Sequence, residues 1–245
     1  MALPCRLERA VDVLDRQPEV GLVHSAYVRW LPDGTLLSRF PPTTHTGLRL
    51  ALLFGNVVCH ASVTVRASVL ARMPELYRDV AGPQDYDLWL RLVNETAAVG
   101  IDDPLVVYRQ SSMAMSRQFE SEIDQVVAEL SDQQLANLVT GAPTASLRRL
   151  YRFEPAAPAD WTAVRSLRRL FDVAATQLPD LDPREVRQHQ RAWTSRATRS
   201  WAARRGTIPT TPRFLWQIVR TDPGGALDSV RRAVLTSGPR GPRRS

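Results

Sequence analysis

The stretch Gly82-Pro83-Gln84-Asp85-Tyr86-Asp87-Leu88-Trp89-Leu90-Arg91-Leu92 constrains the fold more than any other. A Gly-Pro pair interrupts whatever precedes it. Leu88, Trp89 and Leu92 then recur at helical spacing, so a helix over 86–95 is predicted, with Asp85 as its N-cap. A carboxylate at that point is held rigidly at a helix mouth. Spacing alone leaves two readings open: a plain cap with Trp89 as core filler, or a functional carboxylate.

The flanking sequence supplies strands for that helix to pack on. Leu7, Ala10, Val11 and Leu14 mark an amphipathic helix that Pro18 ends. The run from Val20 to Val28 is mainly apolar and reads as a central, buried strand. Pro32-Asp33-Gly34 predicts a tight turn and a hairpin continuing through Leu37. A helix from Thr46 through Leu53 stops at Gly55-Asn56, residues that tolerate left-handed backbone. The β-branched run Val57–Arg66 predicts a strand with His60 and Ser62 in mid-course. A short helix at Ser68–Met73 follows. Beyond the 86–95 helix, Ala97–Ile101 and Pro104–Arg109 read as two short strands around an Asp102-Asp103 turn. Helices interleaved with strands predict an α/β fold.

Past Ser116 the strand patterns stop. Phe119, Ile123, Val126, Val127, Leu130 and Leu138 mark one helix, and Gly141-Ala142-Pro143 breaks it. Trp161, Val164, Leu167, Leu170 and Phe171 mark a second. Val186, Trp193, Ala197 and Trp201 mark a third, capped by Gly206, and 214–219 and 226–235 give two shorter ones. The expected organisation is an α/β domain over 1–117, a helical appendage over 118–237 and a disordered basic tail over 238–245.

Composition narrows the function classes. The only cysteines, Cys5 and Cys59, have no CxxC spacing and no neighbouring His cluster, which argues against a disulfide framework or a zinc site and fits a reducing cytoplasm. No apolar run reaches the roughly 18 residues of a membrane span. The net charge of +7 is unevenly spread: residues 1–117 carry 12 Arg and 12 acidic residues, whereas 118–245 carry 20 and 13. All 32 basic residues are Arg, which points to GC-rich coding rather than to guanidinium chemistry at every position.

Four segments in order resemble the family 2 glycosyltransferases, in the second half of their GT-A catalytic domain. Leu3-Pro4 to Leu14 is similar to the helix after the family's metal-binding Asp-x-Asp motif, and Pro18–Val23 to its next strand. Leu53-Phe54-Gly55-Asn56 to His60-Ala61-Ser62-Val63, with Arg66–Leu70, is similar to the family's GN…HPS…RRSVL block. Gln84-Asp85-Tyr86-Asp87-Leu88-Trp89-Leu90-Arg91 resembles its ED-Y-D-L-W-L-R block. Two departures accompany the match. The nucleotide-binding half of the family fold, which ends in Asp-x-Asp, has no counterpart here, so the chain is expected to be a truncated GT-A half-domain followed by an all-helical region. After Tyr108-Arg109-Gln110, where the family often has a histidine, this chain has Ser111.

The resemblance implies inverting transfer of a sugar from a nucleotide-sugar donor to a carbohydrate or lipid-linked acceptor. Asp85 would be the base that takes the acceptor's proton, and Gln84, Asn56, His60, Trp89 and Arg109 would be substrate-binding. Gln84 stands where the family usually has Glu, which removes a charge beside Asp85. The family enzyme uses Mg²⁺ or Mn²⁺ through Asp-x-Asp, and no metal ligand is assigned in this chain. A polypeptide lacking that half is expected to turn over little or nothing.

Each residue also has a plainer role. A histidine in a β-rich apolar segment is commonly a hydrogen-bonded core residue. Asp87 and Arg91, at i and i+4, make a surface ion pair worth about a few tenths of a kcal/mol. Trp89 packs, and Arg109 is a strand-end arginine if it does not meet a phosphate. From Arg184 onward 14 Arg stand against three acidic residues, with Trp193, Trp201 and Trp216 interleaved. That composition suits a solvated helix face or an anionic membrane surface, and the absence of a nucleic-acid motif argues against nucleic acid. The alternative to an enzyme is a non-catalytic interaction module that binds a membrane surface or protein partner through these helices. The expected location is cytoplasmic, peripheral at the inner face of a membrane.

Overall fold

A computed structural model describes residues 1–78, 83–110, 120–152, 161–178 and 180–204. The chain forms two compact units, Met1–Asn137 and Leu138–Ser245. The first is mixed α/β and is built on a four-stranded sheet.

Strand β1 (Val20–Trp30) is its centre, as its apolar run predicts. β2 (Leu36–Arg39) pairs antiparallel with the end of β1, and β3 (Thr64–Val65) antiparallel with its beginning. β4 (Ala97–Arg109) pairs parallel along the whole length of β1. The predicted hairpin is present, closed by Leu31 N–H donating to the Thr35 carbonyl at 2.8 Å.

Two apolar layers cover this sheet. On one side α1 (Arg6–Arg16) packs Ala10 and Leu14 against Val20, Val23, Ile101 and Leu105. On the other, α2 (His45–Leu52) and α4 (Gln84–Glu95) bury Leu48, Leu52, Tyr86, Trp89 and Leu92 against Leu22 and Ala98. Thr44 caps α2, its hydroxyl oxygen accepting from Gly47 N–H at 3.1 Å. Between these helices lies α3 (Ala67–Leu70). Arg66, just ahead of it, donates to the Val20, Leu14 and Gln17 carbonyls and so ties the end of α1 to the start of β1. α5 (Glu120–Leu138) also packs on this unit: Val127 joins the α2–α4 core, and the Ser131 hydroxyl donates to the Leu53 carbonyl at 2.7 Å. The first compact unit therefore runs on past residue 117, where the sequence changes character.

Several local expectations are corrected. Val57–Arg66 is not one strand: His60–Ser62 is a 3-10 turn, and only Thr64–Val65 pairs with β1. Ser62 drives the turn, its hydroxyl donating to the Cys59 carbonyl at 2.7 Å, a side-chain competitor for ladder bonding. Ala97–Arg109 is a single strand rather than two. It absorbs Asp102-Asp103 as an irregularity in register, with both residues exposed and Asp103 paired to Arg9 at 2.7 Å. In α1 the predicted stripe is half used, because Leu7 and Val11 lie exposed while Ala10 and Leu14 are buried.

Gly100 shows how tightly β4 is fitted. A Cβ there would stand 2.7 Å from His24 Cε1 and 2.8 Å from the Thr43 backbone, and neither can swing away. Gly100→Ala is therefore expected to lower stability by about 1–3 kcal/mol, the cost of overpacking. Urea unfolding of the two proteins measures it, and an unchanged midpoint would refute it.

The second unit contains only helices among its described residues: α6 (Thr144–Arg152), which the sequence reading did not anticipate, α7 (Trp161–Gln177) and α8 (Pro183–Arg204). Leu147, Leu167, Leu170, Phe171 and Val186 are buried here, and Trp193 stacks on Tyr151 at 4.0 Å. Arg184, Arg187 and Arg191 of α8 are exposed. Gly206, the predicted helices at 214–219 and 226–235, and the tail lie outside the described residues, as does Ser111.

Candidate active site at the start of helix α4

Helix α4 begins two residues earlier than its pattern suggests: Pro83 is its N-cap and Gln84 its first residue. Proline's fixed φ suits a helix start, where a missing N–H costs nothing. Asp85 is thus not the cap but a first-turn residue. Its Oδ1 accepts from Tyr86 N–H at 2.8 Å and its Oδ2 from Asn56 Nδ2 at 3.3 Å. The carboxylate is half-buried, and Gln84 beside it is exposed.

Asn56 is placed by the loop after α2. Gly55, at φ +151°, takes a conformation open to glycine, and Asn56 Oδ1 then accepts from Val58 N–H at 3.2 Å. That bond turns the amide so that its nitrogen faces Asp85. Tyr86 fixes the helix from below: its ring is fully buried, and its hydroxyl donates to the Leu52 carbonyl at the end of α2.

One turn further along α4, Trp89 is 3% exposed and packs in the core. Its indole meets His60 edge-to-face at 5.6 Å, interplanar angle 86°. His60 is exposed, so it is neither in mid-strand nor a core histidine. Among the described residues Trp89 Nε1 is buried without a hydrogen-bond acceptor. Cys59, between Asn56 and His60, is half-buried. Burial pushes its thiol up from the ordinary value, and the Asp85 carboxylate adds to that, so it is a neutral neighbour rather than a nucleophile.

The structure therefore brings Asn56, Gln84, Asp85, His60 and Trp89 to one region, from two segments far apart in sequence. It treats Arg109 differently. Arg109 is exposed at the end of β4, paired with Trp30, with its guanidinium 6.0 Å from the centre of the Trp30 ring.

Asp87 is the clearest correction. Its side chain is only 9% exposed, and it accepts from Arg91 Nε at 2.9 Å, with Arg78 Nη1 at 3.7 Å. Arg91 also donates to the Glu75 and Leu76 carbonyls at 2.7 and 2.6 Å. The pair is a buried clamp that fastens the 75–78 segment to α4, not a surface ion pair. Asp85 and Asp87, two residues apart, consequently point at different partners and do not converge. Among the described residues no three His, Cys, Asp or Glu side chains gather around a common point. The donor set at Asp85, one carboxylate beside one amide, does not fit Mg²⁺ or Mn²⁺.

No family model matches the chain, and no curated protein matches it. Among the described residues no helix is long and apolar enough to cross a membrane.

Proposed function

We propose that the first unit is the acceptor-side part of a GT-A-type domain, from an inverting glycosyltransferase that uses a nucleotide-sugar donor. One observation carries this reading. The two family-like blocks that hold the candidate residues, 53–70 and 84–91, meet through Asn56–Asp85 and through His60–Trp89. Residues that would have to cooperate in such an enzyme are thus in contact across 29 positions of sequence.

Asp85 is the base. It has one bond from a backbone N–H and one from Asn56, which orient the carboxylate and leave lone pairs for a substrate hydroxyl. As the acceptor oxygen attacks the anomeric carbon, its proton passes to Asp85, and the departing nucleotide diphosphate leaves with the electrons of the broken C–O bond. His60 offers an exposed ring, held edge-to-face on buried Trp89 and suited to a sugar face, and Gln84 offers an amide to its hydroxyls. By this reading residues 1–245 alone turn over little, since the Asp-x-Asp half of the family fold is not among them. The location this implies is the cytoplasmic face of a membrane, where a lipid-linked acceptor would be met.

The test is a mass-spectrometric assay of sugar transfer from a panel of nucleotide sugars, with Asp85→Asn beside the wild type. Any transfer observed is expected to fall at least about a hundredfold in the variant, the scale of general-base catalysis. Transfer at an unchanged rate would remove Asp85 from the mechanism. Tight binding of a protein or membrane partner by both proteins, with no nucleotide-sugar affinity, would favour the non-catalytic alternative.

A further inference from the structure

The hairpin register sorts the end of the sheet into two chemically different faces. Tyr27 lies opposite Arg39, and Arg29 opposite Leu37; on the other side of β1, Tyr108 lies opposite Arg29. Opposed residues in paired strands share a face, and so do residues two apart along a strand. Tyr27, Arg29, Leu37, Arg39 and Tyr108 therefore share one face, while Trp30, Leu36 and Arg109 share the other.

The first face is coupled to Asp85 electrostatically, by way of Cys59. Burial pushes the Tyr27 hydroxyl up, the neighbouring Cys59 adds to this, and the Arg29 and Arg39 guanidinium groups pull it back. Cys59 in turn feels the Asp85 carboxylate. The register puts two guanidinium groups and a phenol on one face, and the Cys59 thiol connects that phenol electrostatically to Asp85.

Among the described residues neither arginine has a carboxylate partner: Arg39 donates to the carbonyl of its neighbour Ser38, and Arg29 makes no hydrogen bond or ion pair there. Arg9, Arg16 and Arg91, in the same unit, are all paired with aspartates. Diagonal cross-strand neighbours such as Arg29 and Arg39 have Cβ atoms roughly 7–8 Å apart. Two cations held that close repel each other, and an anion seated between them relieves the repulsion. Tyr27, protonated and without a hydrogen-bond partner among the described residues, adds a donor at the same place.

We propose that this face is a phosphate subsite, in which Arg29 and Arg39 hold the oxygens of a phosphate or diphosphate ester and Tyr27 donates to them. The substrate handled at Asp85 is then a phosphorylated one. That last clause rests on the reading of Asp85 as a base, whereas the anion site does not. The geometry also moves the expected phosphate contact from Arg109, on the opposite face, to Arg29 and Arg39. An acceptor phosphate ester and a donor nucleotide diphosphate present the same oxygens, so the test must separate them.

The experiment is a calorimetric titration of the 245-residue chain with pyrophosphate at fixed ionic strength. Saturable binding is expected, weakened about tenfold or more by Arg29→Gln and by Arg39→Gln, and unchanged by Arg109→Gln. Asp85→Asn is expected to keep pyrophosphate affinity, so sugar transfer at an unchanged rate in that variant, with binding intact, would count against the base alone. Wild-type affinity in the double variant Arg29→Gln/Arg39→Gln, with an unchanged circular dichroism spectrum, would overturn the subsite, as would no binding to the wild type at millimolar pyrophosphate. Both single substitutions are on a hairpin face outside the apolar core, and Arg39→Lys, which keeps the charge, should recover part of the affinity. Displacement of pyrophosphate by uridine diphosphate at least tenfold better than by an alkyl diphosphate assigns the subsite to the donor; the reverse order assigns it to the acceptor.

Discussion

Asp87→Ala is expected to lower the stability of the first unit by about 3–5 kcal/mol, the range for removing one partner of a buried ion pair. The loss arises less from the attraction forgone than from what remains. Arg91 is 16% exposed, and without Asp87 its guanidinium keeps only the Glu75 and Leu76 carbonyls. Arg78, at 3.7 Å from the same carboxylate, loses its counter-ion as well. Asp87→Asn retains an acceptor for Arg91 and should cost less, about 1–3 kcal/mol. Arg91→Lys should behave nearer to the alanine variant, because an ammonium cannot bridge a carboxylate and two carbonyls as a planar fork does. Equilibrium urea unfolding gives the magnitudes, and amide hydrogen exchange over residues 74–78 gives the location. An Asp87→Ala protein within 1 kcal/mol of the wild type would show that the clamp is dispensable.

Acidification is expected to remove about 2 kcal/mol by pH 5 and about 3 kcal/mol by pH 4 through His24 alone. His24 is 1% exposed, on the buried part of β1, with its ring against Gly100. Burial lowers its pKa to about 4; the Pro42 and Ser25 backbones oppose the shift, but among the described residues no hydrogen bond of good geometry reaches either ring nitrogen. The sign follows from the unfolded chain, where the imidazole titrates at about 6.5 and takes up its proton first. The contribution is therefore whole above pH 6.5 and is lost as pH falls towards 4. His24→Leu, which cannot titrate, should flatten this part of the stability profile whatever its stability at neutral pH. Equal acid slopes in the two proteins would sink the assignment.

How far the sequence reached differs between the sheet and the site. The apolar run Val20–Val28 marks the central strand because a strand paired on both edges and covered on both faces has nowhere to put polar side chains. The Pro32-Asp33-Gly34 turn gives the hairpin, and counting outward from it gives the register that sets Arg29 and Arg39 on one face; the signal was present, though those arginines were not singled out. Asp85 was legible as the carboxylate at the start of α4, but the cap was misplaced because Pro83 serves as well as a polar residue at that point. His60 was drawn into a strand by its β-branched neighbours. The hydroxyl bond of Ser62 to Cys59 outweighed that propensity and turned the backbone, which left His60 exposed beside Trp89.

Local pattern controls a mixed α/β unit followed by helices, the hairpin, and a carboxylate at the start of an amphipathic helix, and all of these are legible without the fold. Tertiary structure decided everything that depends on which distant group arrives. It set Asn56 against Asp85, turned Asp87–Arg91 from a helix-surface pair into a buried clamp, and put Arg109 on the face opposite Arg29 and Arg39. The physical reason is one of range. Periodicity and turn chemistry act within a few residues, whereas burial and the partner of a charge are fixed only when segments tens of residues apart pack together.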